Sequence, residues 1–394
     1  MSFAIPQLLA LVCGLLALCG IGYYCLCLVS ARNFLRHWRV RRLPEFAPPV
    51  SILKPLRGAD PGMYEAFRSH CRQDYPEFEI IFGVAEADDP AVALVRQLQR
   101  EFPARRIELV LCPQTLGTNL KVSNLVQMLP HARHEYLLVN DSDILVERDY
   151  LRRVMAPFAD PRVGMVTTLY RGAAGRSLAS RLEAVGIGTD FAGGVLASRQ
   201  LEGVRFALGS TLAFSRPRLE EIGGFAPLLD YLADDFELGN RLAKLGYEVV
   251  LSDAVVATHL PDYSFGAFWL HQLRWARSVR DARKLGYLGV VLTFGLPWAL
   301  AAVALSGGAR WSLALLAATV VARLAMALVL GRRVLHDPQL PRDLWLIPLR
   351  DVLAWVLWAA AYAGHTIVWR GRTFLLQDGK LLPPASVTAD KDTP

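Results

Sequence analysis

The hydrophobic pattern changes character along the chain. Residues 5–30 are apolar without one charge, a run long enough to cross a hydrocarbon core of about 30 Å as a helix. From about 48 to 260 short apolar strands alternate with amphipathic stretches, the pattern of an α/β domain with a mostly parallel sheet. Strands are expected at 50–53, 78–84, 107–111, 136–139, 164–168 and 206–214. Two further apolar runs, 287–305 and 311–330, are joined only by Ser306-Gly307-Gly308-Ala309-Arg310 and predict a transmembrane hairpin. The last run, 352–369, predicts either a further span or a re-entrant or interfacial segment, because Arg370 and Arg372 after it would lie outside if it crossed.

Charge orients these segments. Arg32, Arg36, Arg39, Arg41 and Arg42 follow the first run and assign its downstream side to the cytoplasm. A cleaved signal peptide would have a shorter apolar core with its charge in front, so an uncleaved anchor is expected. Arg332 and Arg333 bring the chain back to the same face. The expected organisation is an anchor at 1–31, a cytosolic catalytic domain at 48–262, an amphipathic interfacial helix at 263–286, two to three transmembrane helices within 287–370, and a polar tail at 371–394. The Gly-rich apolar face of 180–199 reads as membrane-skimming, and the chain beyond Leu382 as disordered.

Composition agrees. Hydrophobic residues make up 53% of the chain and charged residues 20%, with a mean hydropathy of +0.29, as for a soluble domain joined to membrane segments. The net charge of +7 gathers beside apolar runs, where anionic lipid head groups account for it. No recognition motif accompanies the charge, so no nucleic acid partner is expected, and nothing points to a particular protein partner. Cys13, Cys19, Cys25 and Cys27 sit in the first apolar run, and Cys71 and Cys112 in the α/β domain. The first four have no metal-ligand spacing and are expected to be lipid-facing or packed thiols, and Cys71 and Cys112, with no pairing pattern, are expected to stay reduced.

Candidate chemistry lies in acidic pairs after strands. Asn140-Asp141-Ser142-Asp143 follows the strand at 136–139, where ligands bind in open α/β sheets. Two carboxylates there can hold a divalent cation that neutralises a pyrophosphate; a capped turn is the plainer alternative. Asp88-Asp89-Pro90 is equally a helix N-terminus, and Asp234-Asp235 before a helical stretch can also be a cap. Gly223-Gly224-Phe225 marks a tight turn upstream of that pair. His271-Gln272-Leu273-Arg274-Trp275 lies on an amphipathic stretch that could simply rest at the membrane interface.

The order of these features resembles the family-2-like glycosyltransferases of the GT-A fold, with three aspartate motifs and a closing motif of the form Gln/Arg-x-x-Arg-Trp. Within them the chain is most similar to the ceramide glucosyltransferase family over nearly its whole length. The matching stretches include Val50-Ser51-Ile52-Leu53-Lys54-Pro55-Leu56-Arg57-Gly58, Asp74-Tyr75-Pro76 and Asp88-Asp89-Pro90-Ala91. Lys121-Val122-Ser123-Asn124-Leu125, Asp141-Ser142-Asp143, Asp234-Asp235 and Arg274-Trp275 follow in register.

The resemblance implies a GT-A domain inserted between one N-terminal and two to three C-terminal transmembrane helices. It implies that Lys54 and Asp89 help hold the uridine of a UDP-sugar, and that Lys121 and Asn124 line the nucleotide-sugar pocket. Asp143 with Asp141 would serve Mg²⁺ or Mn²⁺ and the sugar phosphate. Asp235, beside Asp234, would be the general base. His271, Arg274 and Trp275 would close over donor and acceptor. The implied reaction is inverting transfer of a hexose to a hydroxyl of a membrane lipid in the bilayer.

Two departures bear on the acceptor. His271 stands where the motif has Gln or Arg, and Asp141-Ser142-Asp143 is complete where animal ceramide enzymes resemble Asp-Ser-Gly. Both features are more similar to a bacterial branch associated with hopanoid biosynthesis. That likeness implies a bacterial inner-membrane enzyme with a cytoplasmic catalytic domain, an N-acetylglucosamine donor and a hopanoid polyol acceptor. The alternative is a ceramide glucosyltransferase. A processive polysaccharide synthase shares the motifs, but three or four helices leave little material for a polymer channel. A scaffold built on a decayed transferase would not need intact Asp89, Asp143 and Asp235.

Overall fold

The structure, a computed structural model, describes residues 4–40 and 44–383. Arg41 and Arg42 of the basic cluster, and the expected disordered tail from 384 onward, lie outside the described residues. Among the described residues the chain divides into a unit that holds most of the expected catalytic domain, the catalytic unit (38–40, 44–175, 202–261 and 379–383), and a helical unit (4–37, 176–201 and 262–378). Residues 176–201, read from the sequence as part of a continuous catalytic domain, thus cluster with the helices.

Continuous apolar runs buried on both faces build the catalytic unit's sheet. Its strands are β1 (Val50–Pro55), β2 (Phe78–Val84), β3 (Arg106–Leu111), β4 (Tyr136–Val139), β5 (Ile144–Leu145), β6 (Val163–Ala174), β7 (Leu212–Ser215) and β8 (Glu248–Leu260), in the order β3-β2-β1-β4-β7-β6-β8-β5. The β3-β2-β1-β4 half is parallel. From β1 the chain winds outward to β2 and β3, then returns to place β4 on the other side of β1. The carboxyl ends of β1 and β4 therefore flank the point where winding reverses, the ligand position of open α/β sheets. The other half is mixed: β7 runs antiparallel to β4 and β6, β8 parallel to β6, and β5 antiparallel to β8.

Two strand expectations need correction. The expected strand at 206–214 is only Leu212–Ser215, because a turn with a Leu208–Thr211 bridge precedes it. The long strand β8 was not foreseen. Its register jumps from Thr168↔Ser252 to Leu169↔Val255, and the extra Asp253 and Ala254 break the apolar pattern.

The first helix runs Ala4–Val40, so Arg32, Arg36 and Arg39 extend the helix instead of following it. Helices long and apolar enough to cross a membrane are Ile5–Val40, Arg310–Val334 and Leu340–Ala361. The expected span at 287–305 is a broken pair, Lys284–Thr293 and Gly295–Leu305, bent by 53°. At the break, a Cβ on Gly20 would lie 2.2 Å from Gly295 Cα, so the two backbones touch and both positions exclude a side chain. The run at 352–369 is not one segment: the helix ends at Ala361, and β9 (Thr366–Trp369) pairs antiparallel with β10 (Arg372–Gln377). The last spanning helix instead starts earlier, at Leu340, and carries Arg350 and Asp351.

Those charges are paired, as charges within membrane spans must be. Arg323 Nη2 lies 2.7 Å from both Asp351 Oδ1 and Asp190 Oδ1, and Arg350 Nε lies 3.4 Å from Asp190 Oδ2. Asp190 belongs to a π-turn, Ile187–Phe191, between helices Leu178–Gly186 and Ala192–Glu202. The segment expected to skim the membrane is therefore tied through Arg323 to two spanning helices.

Candidate functional site

The carboxyl ends of β1 and β4 carry Lys54 and the Asn140-Asp141-Ser142-Asp143 turn. Asn140 is buried and fully engaged. Its Nδ2 donates to Ser210 O at 2.6 Å and to Tyr150 OH at 2.9 Å, and its Oδ1 lies 3.1 Å from His70 Nε2. This anchors the turn that presents the two aspartates. Below it, Lys54 is completely buried and donates from Nζ to the Asp141 carbonyl at 3.1 Å. Burial pulls the Lys54 ammonium down to about 7, against Asp143 and Asp141, which raise it. Lys54 thus braces the turn from beneath and lines no open surface.

Asp143 is half-buried, and its Oδ2 accepts from the Thr258 hydroxyl of β8. Burial, and then the Asp141 charge beside it, hold its carboxyl above the usual carboxylate range. Asp141 is more open, and its Oδ1 lies 2.9 Å from Lys121 Nζ. Lys121, in helix Leu120–Met128, also reaches Asp234 Oδ2 at 3.2 Å. Burial alone would lower Lys121, but Asp141, Asp234 and Asp235 outweigh it and hold the ammonium above its ordinary value. One lysine therefore joins the second and third acidic motifs.

Helix Asp234–Lys244 has no side-chain cap at its N-cap residue Ala233. Asp234 Oδ1 accepts from Asn119 Nδ2 at 3.3 Å. Asp235 Oδ2 accepts from Gly209 N–H at 2.7 Å, and Oδ1 from its own following amide. Burial, and then Asp234 beside it, push Asp235 up to about 6, with Lys121 pulling the other way. A Cβ on Gly209 would lie 3.2 Å from Asp141 Oδ2 and 3.2 Å from Asp235 Oδ2. Both carboxylates close on this glycine, and a methyl group there would make them give by a few tenths of an ångström.

Asp89 differs from Asp234 and Asp235. Its two oxygens accept from Gly58 N–H at 3.1 and 2.9 Å, and Oδ1 also from Ala91 N–H at 2.8 Å. It therefore caps the following helix, as one reading of Asp88-Asp89-Pro90 expects, and ties that helix to the loop after β1. Asn124 is buried, and its Nδ2 points at Gly83 O of β2 at 3.5 Å. In the helical unit, helix Phe265–Ala282 carries His271, Arg274 and Trp275. His271 Nδ1 lies 3.1 Å from Oε1 of Glu183, which is buried, and its ring lies 5.0 Å from that of Trp275.

Sequence reasoning missed Asn119, Gly209, Thr258 and the His70–Asn140–Tyr150 network. Asn119 had a signal: an asparagine directly before a helical run reads as a cap, and its Oδ1 does accept from Val122 N–H at 3.2 Å. The others are brought in by strands and turns distant in sequence.

The residues present fit a divalent cation held open to a ligand. Among the described residues no three His, Cys, Asp or Glu side chains form a metal cluster, so no closed protein cage exists. Two neighbouring half-buried carboxylates, one of them held up by desolvation and then by the other's charge, suit a magnesium-type ion that completes its shell with phosphate oxygens and water.

Comparisons with known proteins give the family and the fold. The profile of Glycosyl transferase family 21 matches residues 12–382. Ceramide glucosyltransferase 3 of Caenorhabditis elegans is 26% identical over 388 residues, covering 94% of this chain and 83% of that one. Ceramide glucosyltransferase 1 of the same organism is 25% identical over 260 residues, 63% of this chain and 56% of the relative. Among solved structures, the mannosyltransferase PcManGT of Pyrobaculum calidifontis, in complex with GDP-Man and Mn²⁺, superposes with a TM-score of 0.54 at 19% identity, covering 88% of this chain and 98% of that chain. At that identity the likeness shows the fold alone, a GT-A glycosyltransferase fold.

Proposed function

The chain belongs to glycosyl transferase family 21, and from that premise we propose that it transfers a hexose from a UDP-sugar to a hydroxyl of a membrane lipid with inversion. The observation that carries the reading is Lys121, which draws Asp141 and Asp234 together at the sheet's switch point. Asp235 takes the proton of the lipid hydroxyl as that oxygen attacks the anomeric carbon, and the bond from that carbon to the UDP oxygen breaks. The proton ends on Asp235 and the electron pair on UDP. A carboxyl pushed up to about 6 is still ionised at neutral pH, yet more basic than a free carboxylate. One displacement turns an α-linked donor into a β-glycoside.

Lys121 offers positive charge where the leaving diphosphate gains negative charge. Asp143 and Asp141 would hold Mg²⁺ or Mn²⁺, which supplies further charge for the diphosphate. The resemblance gives Lys54, Asp89 and Asn124 donor-side roles. Their geometry supports indirect ones, since Lys54 braces the aspartate turn and Asp89 fixes the loop after β1. The resemblance gives His271, Arg274 and Trp275 the role of closing over donor and acceptor.

A hopanoid polyol with an N-acetylglucosamine donor is the favoured substrate pair, supported by the complete Asp141-Ser142-Asp143 and by His271. Ceramide with a glucose donor is the second reading, supported by the named relatives. The test presents the purified chain, in lipid nanodiscs, with UDP-[¹⁴C]glucose or UDP-[¹⁴C]N-acetylglucosamine and either lipid. Label in a chloroform-soluble glycolipid supports transfer to lipid, and the lipid carrying it names the acceptor. Label only in an aqueous polymer would make the protein a polysaccharide synthase.

Two expectations follow here. With the catalytic unit on the cytoplasmic side of a bacterial inner membrane, a protease site engineered near Arg41 should resist external protease in intact cells and be cut after lysis. External cutting would invert the topology. Gly209→Ala should lower single-turnover transfer by roughly ten- to a hundredfold by parting Asp141 from Asp235, with circular dichroism unchanged. Wild-type transfer would mean that the gap is slack.

A further inference from the structure

The chain rejoins the catalytic unit at Gly379, and part of the expected polar tail is a short strand, β11 (Lys380–Leu382). It lies beside 230–232. Leu232 N–H donates to Gly379 O at 2.9 Å, Leu381 N–H donates to Asp230 O at 2.7 Å, and Tyr231 and Lys380 form an antiparallel bridge.

The opposite side of the same segment is laced to 118–119. Asn119 N–H donates to Leu229 O at 2.8 Å, and Asn119 Nδ2 to Tyr231 O at 2.8 Å. Thr118 donates to Asp230 Oδ1 from N at 3.0 Å and from Oγ1 at 2.9 Å. Residues 230–232 are thus the middle of three backbone layers, and the outer one is supplied by residues about 150 positions later. Leu381 is 1% exposed and Leu232 8%, so the seam is closed by apolar side chains as well. Gly379, at φ +80, brings the backbone against Tyr231, where a Cβ would lie 3.2 Å from the ring.

Asp234 and Asp235 follow directly. The segment before them belongs to no long helix or strand, so its place depends on the layers at its two sides. We infer that residues 379–382 are a positioning strap that sets the Asp234–Asp235 pair. The strap is read from backbone hydrogen bonds alone, while its effect on transfer rests on the base role proposed for Asp235. Without the strap, the Asn119 side still holds the segment, so the unit folds while the acidic pair loses its placement.

The test compares the full chain with chains ending at Asp378 and at Pro383, and with full-length Leu381→Pro, which removes the N–H taken by Asp230 O. The chain ending at Pro383 should transfer within about twofold of the full chain. The chain ending at Asp378 and Leu381→Pro should bind UDP-sugar within about threefold of it and transfer at least about tenfold more slowly, a kcat effect that leaves donor affinity in place. Hydrogen exchange over 229–236 should rise by about tenfold or more in both, with β1 and β2 unchanged. If the chain ending at Asp378 does not fold, Leu381→Pro decides.

Unchanged exchange over 229–236 overturns the strap, as does exchange rising equally in β1 and β2, which would make β11 a general part of the fold. Altered exchange with undiminished transfer overturns its positioning role. A full chain that transfers no sugar at all would instead sink the functional reading, while the exchange still reports on the strap.

Discussion

Asp235→Asn is expected to abolish transfer while leaving UDP-sugar binding nearly intact. Asparagine keeps the shape, and its amide oxygen can still accept from Gly209 N–H, the contact that holds Asp235 Oδ2 at 2.7 Å. The site should therefore keep its geometry. What is lost is the ability to take the acceptor's proton, and a positioned base contributes on the order of 10²–10⁴-fold in rate. The amide oxygen can likewise take the first-turn N–H of Phe236 that Asp235 now accepts, so a loss of transfer would not come from a lost cap. The measurement pairs donor titration with single-turnover transfer on purified variants. Turnover within about threefold of wild type would leave Asp234 as the candidate base, since the expected effect is far larger.

Chelation should stop transfer as completely, by a different route. In excess EDTA the diphosphate's charge faces Lys121 without the ion that Asp141 and Asp143 are proposed to hold. Asp143→Asn should weaken donor binding by roughly 10- to 100-fold in the presence of Mg²⁺ or Mn²⁺. The Asp143 carboxyl is already held above its usual range by burial and by Asp141, so a cation there relieves a repulsion that the protein alone leaves in place. Titration of UDP-sugar with and without metal separates the two substitutions: Asp235→Asn keeps donor affinity and Asp143→Asn loses it. Full transfer in EDTA, or unchanged donor affinity in Asp143→Asn, would remove the ion from the mechanism.

The contrast between the acidic pairs shows how far sequence alone can go. Asp88-Asp89-Pro90 and Asp234-Asp235 look alike as helix starts, and both admit a capping account. The structure separates them: Asp89 does cap, with Ala91 N–H on its Oδ1, while Asp234 turns to Asn119 and Lys121. What decides is the partner across the fold, and neither spacing nor residue type encodes that. Lys54 makes the same point. The resemblance gives it a uridine contact, while its burial makes it a support for the Asp141 carbonyl.

What the sequence determined by itself is whatever depends on short-range pattern. Short apolar runs set β1 to β4, a charge-free run sets most of the first helix, an apolar run sets the span at 311–330, and the acidic turn after β4 follows from strand position and residue type. These features are local because backbone hydrogen bonding and burial act over a few residues at a time. The tertiary structure alone decided the rest. It broke the span at Phe294 where Gly20 meets Gly295, bulged β8 past recognition, and moved 176–201 into the helical unit. It also assembled the acidic centre from Lys121, Asp141, Gly209 and Asp235. Those outcomes turn on contacts between residues far apart in the chain, whose energies exist only once the chain has folded and so leave no periodic trace in the sequence.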